Sequence, residues 1–111
     1  MKNRVILLQS DRLGTGDEEL GEALLENFFT ILKQEEEKPV AIFCLNRGVF
    51  TLTAKSVISL QLKALEKSGV SILACKTCID YYGLQDQMTV GELSSMKHFI
   101  ELANQYEVLT L

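Results

Sequence analysis

Short uninterrupted apolar runs alternate along this chain with longer segments of helical period, and that order restricts the fold more than any single motif does. Val5–Gln9, Val40–Leu45 and Val70–Ala74 are β-branched-rich or continuous apolar runs without polar alternation, the pattern of strands covered on both faces of a parallel sheet. Glu107–Leu111 reads as a closing strand and Thr89–Gly91 as a very short one. Between these runs the spacing predicts helices. The first covers about residues 17–34, with Leu20, Ala23, Leu24, Phe28, Ile31 and Leu32 forming its apolar face. Thr15 and Glu18 match a capping box at its start, and Asp17, Glu18 and Glu19 place negative charge in the first turn, where the dipole favours it. A second helix, about residues 56–68, turns Val57, Ile58, Leu62 and Leu65 inward and stops at Lys67 and Gly69. A last one, about residues 94–104, has Met96, Phe99, Ile100 and Ala103 in register.

Strands joined through helices imply right-handed crossovers and a three-layer α/β/α sandwich. At 111 residues there is room for one such core and not for two, so residues 1–111 are expected to form a single domain. In sheets of this kind, ligands and chemistry gather at the carboxyl ends of the strands. Here those ends are the segments Ser10–Gly16, Asn46–Thr53 and Cys75–Gly83.

Charge and hydropathy exclude some partners. Fifteen acidic against eleven basic side chains give a formal net charge of -4, which supplies no field for a phosphate backbone, so no nucleic acid partner is expected. The longest apolar runs fall far short of the roughly 20 residues of a membrane helix, and Gln9–Arg12 interrupts the first of them before a secretory core forms. A cytoplasmic, membrane-free protein is expected. Its three cysteines are an odd number, which in a reducing compartment favours working or packed thiols over a disulfide framework.

The sharpest local signal is Cys75-Lys76-Thr77-Cys78, directly after a buried run and before Ile79–Leu84, a short helix. A thiolate at a helix start meets free backbone N–H groups, and the Lys76 ammonium is expected to add to that field. Two thiols one turn apart can act in sequence, so Cys75 is assigned as nucleophile and Cys78 as resolving partner. Inert packing of both at a strand-to-helix corner is the plain alternative. A structural zinc site would need four ligands, and only Cys44 and His98 remain, so no metal and no cofactor is expected. Cys44 reads as a packed core thiol, and His98 as a solvated surface residue.

Around the cysteines, the first loop brings Asp11 as a residue that lines the site, while its Gly14 and Gly16 lack the rest of a dinucleotide or phosphate-loop fingerprint. The second loop offers Asn46 and Arg47, the latter as a partner for an anionic sulfur or phosphate group near Cys75. Lys76, Thr77 and Tyr81 complete the expected substrate-binding set, with Asp80 and Tyr82 beside them.

At these residues the chain resembles the DsrE-like sulfur-relay family, and within it the C-terminal domain of YedF-type selenium-metabolism proteins. Four stretches carry the likeness: Ser10-Asp11 with Leu13-Gly14 and Gly16-Asp17 through Gly21; Leu45-Asn46 with Gly48-Val49; Cys75 with Thr77-Cys78 through Asp80-Tyr81-Tyr82-Gly83-Leu84; and Val90-Gly91-Glu92 with Met96. The resemblance implies a five-stranded parallel sheet in the order 4-3-2-1-5, with Thr89–Gly91 as strand four. It also implies assembly into homo-oligomers or hetero-oligomers and a persulfide carried on Cys75. YedF-type chains carry an N-terminal TusA-like domain with a Cys-Pro motif. Here the sole proline, Pro39, follows Lys38, so a TusA-like sulfur carrier is expected as a separate partner, or this is an excised domain. Cys78 has no counterpart in the simpler persulfide carriers.

The function expected on these grounds is that of a sulfurtransferase-like domain relaying sulfane sulfur, or selenium, through Cys75. Two rivals remain: a thiol-disulfide oxidoreductase using the same pair, and a non-catalytic docking domain for a TusA-like partner. The cis-proline of thioredoxin-type enzymes has no candidate beyond Pro39.

Overall fold

A computed structural model describes residues 1–111. Its strands are Arg4–Leu8 (β1), Ala41–Cys44 (β2), Ser71–Cys75 (β3), Glu92–Ser94 (β4) and Glu107–Thr110 (β5). They form one sheet in the order β4-β3-β2-β1-β5, and every neighbouring pair is parallel. Four α-helices connect or flank them: Glu18–Leu32 (α1), Ser59–Lys67 (α2), Lys76–Tyr82 (α3) and Met96–Gln105 (α4), with a 3-10 helix at Asn46–Leu52. The fold class is the one expected from the hydrophobic pattern, and the strand order is the one that the family resemblance implies.

The sheet divides the core unequally. One face, with Ile6, Leu8, Ile42, Cys44, Ile72 and Ala74, is covered by Leu25, Phe29 and Leu32 of α1 and by Ile58, Leu62 and Leu65 in and just before α2. The other face presents only Val5, Ala41, Phe43, Leu73 and Cys75, covered by Phe99, Leu102 and Tyr106. Phe43 and Phe99 meet there with ring centroids 5.2 Å apart. No residue of α4 is itself buried. The second layer of helix is therefore thin, and the sheet end beneath it stays open.

Several local expectations are corrected. The core stripe of α1 is Gly21, Leu25, Phe29 and Leu32, while Leu20, Leu24 and Ile31 are 57%, 42% and 52% exposed. Two apolar stripes lie side by side on this helix, and close approach at Gly21 selects between them. A Cβ on Gly21 would stand 3.0 Å from Cβ of Arg12, and the Gly21 carbonyl accepts the Leu13 N–H at 3.0 Å. The cap of α1 is Asp17, whose carboxylate accepts the Leu20 N–H at 2.9 Å, and not Thr15. Glu18 pairs instead with Arg12 at 3.4 Å. The second helix begins at Ser59, leaving Val57 exposed in a turn where the Ser56 hydroxyl accepts the Ile58 N–H. In α4, Phe99 and Leu102 point inward, whereas Met96 and Ile100 are exposed.

Strand four lies at Glu92–Ser94 and not at Thr89–Gly91. Residues 88 and 89 are already engaged with the chain after the 3-10 helix: Met88 bridges Thr53 in antiparallel fashion, and the Thr89 N–H donates to the Leu52 carbonyl at 2.8 Å. Gly91, at φ +85°, then turns the chain into β4, and a side chain there would press on Ile72. The turn sets the register that pairs Cys75 with Ser94.

Cys44 is fully buried, with Thr51 Oγ1 4.0 Å from its sulfur. Burial pushes its thiol from 9.0 up to about 12, against a smaller opposing effect of Thr51. Below pH 9 both folded and unfolded chains keep this proton. Between 9 and about 12 only the unfolded chain releases it, so stability falls by about 1.4 kcal/mol per pH unit. Denaturant unfolding of wild type and Cys44→Ala across this range should show a shallower alkaline decline in the variant, whatever the offset from the cavity it creates.

Candidate active site

Three carboxyl-end loops meet at one edge of the sheet because the 3-10 helix lies directly on the end of β1. The Leu45 N–H donates to the Leu8 carbonyl at 3.0 Å. At Gly48 any Cβ would fall 2.1 Å from that same carbonyl oxygen, so only glycine permits the contact. Thr51 and Thr53 close the 3-10 turns by donating their hydroxyls to the carbonyls of Gly48 and Phe50. The helix enters through Asn46 in the left-handed region, φ +49°, a conformation asparagine tolerates better than most residues.

That backbone turn aims Asn46 at the cysteines. Its N–H donates to Cys78 Sγ at 3.1 Å, and its side-chain oxygen accepts the Tyr82 hydroxyl at 2.8 Å. Tyr82 is held in turn against Phe50, centroids 4.7 Å apart. The residue thus ties the second loop to both ends of α3.

Helix α3 starts at Lys76, three residues earlier than expected, and Cys75 is both the last residue of β3 and the N-cap of the helix. Cys75 Sγ accepts the Cys78 N–H at 3.4 Å and the Cys78 thiol at 2.9 Å. Both thiols are free. Closing the remaining distance to a bond of about 2.05 Å takes a side-chain movement of roughly 1 Å. Cys75 is only 6% exposed, yet it lines an open cleft of about 700 Å³ together with Thr77, Cys78, Leu93, Met96 and His98. Burial, and next the hydrogen bond it donates to Cys75, push the Cys78 thiol above its ordinary range; the Asn46 N–H opposes them. Cys78 is thus the donor of the pair and Cys75 the acceptor.

The other expected residues are placed as follows. Asp11 and Arg47 bind each other, at 3.1 and 3.4 Å, and the guanidinium lies 4.6 Å from the Phe50 ring centroid. Hydrogen bonding to Asp11 raises the Arg47 pKa further. The pair braces the first loop against the second, and Asp11 lines a separate cavity of about 330 Å³ with Phe50 and Lys55. Lys76 donates to Asp80 at 2.6 Å, so its ammonium is committed along the outer side of α3 and not to the thiols. Lys76, and secondly Gln85, hold the Asp80 carboxyl below the usual carboxylate range. Thr77 is exposed on the cleft. Tyr81 is 83% exposed and meets Tyr82 edge-on; it is Tyr82 that reaches Asn46.

Sequence reasoning left His98 outside the site. It is exposed, as expected, but the β3–β4 register carries it to the cleft, where its Nδ1 lies 2.7 Å from the Ser94 hydroxyl. Only the Ser94-Ser95 pair just ahead of the helix hinted at such an arrangement.

A parallel sheet in this order, with a cysteine ending a strand and opening a short helix, defines an α/β/α sandwich with its reactive side chains at the carboxyl ends of the strands. The DsrE/DsrF-like family model matches residues 12–111, and the chain belongs to that family. Among solved structures it is similar to the ychN protein of E. coli, with a TM-score of 0.73 and 20% identity over 100% of both chains. It is also similar to MTH1491 of Methanobacterium thermoautotrophicum, a protein of unknown function, at 0.69 and 18% over 100% of both chains. A third likeness is to BT1422 of Bacteroides thetaiotaomicron, likewise of unknown function, at 0.68 and 17%, covering 98% of this chain and 95% of that one. At these identities the likeness is one of fold. No curated protein sequence matches the chain. No helix is long and apolar enough to cross a membrane.

Two outcomes check this geometry. Replacing Cys75 with alanine removes the largest neighbour effect on Cys78, so the alkylation midpoint of Cys78 should move to lower pH than in wild type. Gly48→Ala forces the 3-10 helix off the Leu8 carbonyl and should lower unfolding stability by about 3 kcal/mol; an unchanged denaturation midpoint would contradict the close approach.

Proposed function

We propose that this chain relays sulfane sulfur, or selenium, as a persulfide or its selenium analogue on Cys75, with Cys78 as the resolving thiol. The observation that carries the reading is the direction of the hydrogen bonds. Cys75 Sγ accepts both the N–H and the S–H of Cys78, so its lone pairs are oriented by two donors from the same residue. Cys75 also lies at the carboxyl end of β3 on an open cleft, where chemistry collects in parallel sheets.

The steps balance. Cys75 attacks the outer sulfur of a donor persulfide R–S–SH; the new bond joins Cys75 Sγ to that sulfur, the donor's S–S bond breaks, and R–SH departs with one proton. In the second step an acceptor thiol takes the outer sulfur and returns Cys75 to a thiol. Alternatively Cys78 attacks Cys75 Sγ, forms the Cys75–Cys78 disulfide and expels hydrogen sulfide, after which a dithiol reductant restores the pair. The 2.9 Å sulfur separation favours this second exit, and it equally supports thiol-disulfide exchange as a second reading. Of the residues named from the sequence, Lys76 and Thr77 lie on the thiol cleft and would meet a partner first, with Asn46 and Tyr81 on the adjoining loop and helix and the Asp11–Arg47 brace set back from it. A TusA-like carrier, self-association and a cytoplasmic setting complete the reading, and the likeness to YedF-type domains supports selenium as an alternative cargo.

Incubation with a small persulfide donor followed by intact-mass measurement tests it. Wild type should gain one sulfur atom or lose two hydrogens as the disulfide. Cys78→Ser should retain the adduct for longer, and Cys75→Ser should gain none. An adduct that persists in Cys75→Ser removes Cys75 from the role. Disulfide reductase activity without sulfane uptake would favour the exchange reading.

A further inference from the structure

The cleft on which Cys75 opens has two sides. One is the Cys75–Cys78 turn; the other is the end of β4 and the start of α4, from Leu93 to His98. Ser94 stands in register beside Cys75 in the parallel pair β3–β4. Its hydroxyl holds Nδ1 of His98 at 2.7 Å, while the Ser95 hydroxyl accepts the His98 backbone N–H at 3.2 Å. Residue 98 is therefore fixed twice, by its ring and by its backbone, and Nε2 makes no hydrogen bond within the chain. The backbone bond is the N-cap of α4 and would form with any residue at position 98; the bond to Ser94 is the one that orients the imidazole.

Persulfide transfer to Cys75 has a proton to move. The Cys75 thiol loses one, and the donor's departing sulfur must gain one unless it leaves as a stable thiolate. Lys76, the other basic side chain on the cleft, is paired with Asp80 at 2.6 Å. Cys78 directs its own S–H at Cys75 Sγ, at 2.9 Å, and so offers that sulfur a donor and not a base. An imidazole both takes and returns a proton, and His98 is the imidazole on this surface.

Resting on the relay reading above, we infer that His98, oriented by Ser94, is the acid–base group of the cleft: it receives the Cys75 proton and delivers it to the sulfur that leaves the donor. The overall exchange is Cys75–SH plus R–S–SH giving Cys75–S–SH plus R–SH, with His98 returned to its starting form. This assigns the cleft a substrate class, an alkyl persulfide whose leaving sulfur is basic enough to need protonation, as on a cysteine of a carrier protein or of a small thiol.

Leaving-group dependence separates this role from a structural one. Single-turnover sulfur uptake from glutathione persulfide is measured by intact mass on the full chain for wild type, His98→Asn and Ser94→Ala. Reaction of the same three proteins with an aromatic disulfide of the Ellman type, whose thiolate departs without a proton, is followed by absorbance. His98→Asn should slow uptake from the alkyl persulfide by about 100-fold, and Ser94→Ala by about tenfold; toward the aromatic disulfide, where a proton is taken from Cys75 but none is delivered, each variant should lose at least threefold less than it loses toward the alkyl persulfide. Equal slowing toward both reagents, or none toward either, would overturn the acid–base role while leaving Cys75 as carrier. Absence of uptake by wild type would overturn the relay reading and this inference with it.

Discussion

The site rests on a chain of three hydrogen-bonded groups: the Asn46 N–H donates to Cys78 Sγ, and the Cys78 thiol donates to Cys75 Sγ. Its direction is set from the backbone inward. Asn46 holds a left-handed conformation because the 3-10 helix behind it is seated on the Leu8 carbonyl through Gly48. A backbone donor cannot rotate away as a side chain can, so the orientation of Cys78, and through it the environment of Cys75, is inherited from how two loops and a strand end pack. Tyr82 and the Asp11–Arg47 brace then restrain the same 3-10 segment from two further sides.

The uneven layering explains why this chain of groups meets a cleft. Cys75 belongs to the sparse face of the sheet, where Phe99, Leu102 and Tyr106 of and just after α4 supply the cover from that helix layer. On the opposite face, α1 and α2 bury a far larger cluster and close it off. A fold with two equal helix layers would have sealed the sulfur. Here the short β4 strand brings its helix start to the cysteine turn without covering it, and exposed Leu93 and Met96 form apolar lips around polar and thiol groups.

Much of the architecture was legible because it follows from burial. Ala41–Cys44, buried at every position, reads as a central parallel strand since no solvent face demands polar alternation. The cysteine pair reads as a strand-to-helix corner for the same local reason. The errors share a different cause. On α1 two apolar stripes compete, and the glycine contact with Arg12 and Leu13 chooses the less obvious one. Strand four shifted to Glu92–Ser94 because Met88 and Thr89 were taken by a distant loop. Lys76 was expected at the thiols, but an i,i+4 carboxylate at Asp80 offers it a closer partner.

The sequence by itself determined the parallel sheet, its helical crossovers and the position of two thiols one turn apart, since each depends on periodicity or on neighbours within a few residues. Tertiary structure alone decided that Asn46 donates to Cys78, that Tyr82 and not Tyr81 supports it, and that Ser94 and His98 share a cleft with Cys75. Those relations join residues separated by 19 to 36 positions, and they depend on strand register and loop seating. Both are properties of the packed chain that no local window of sequence contains.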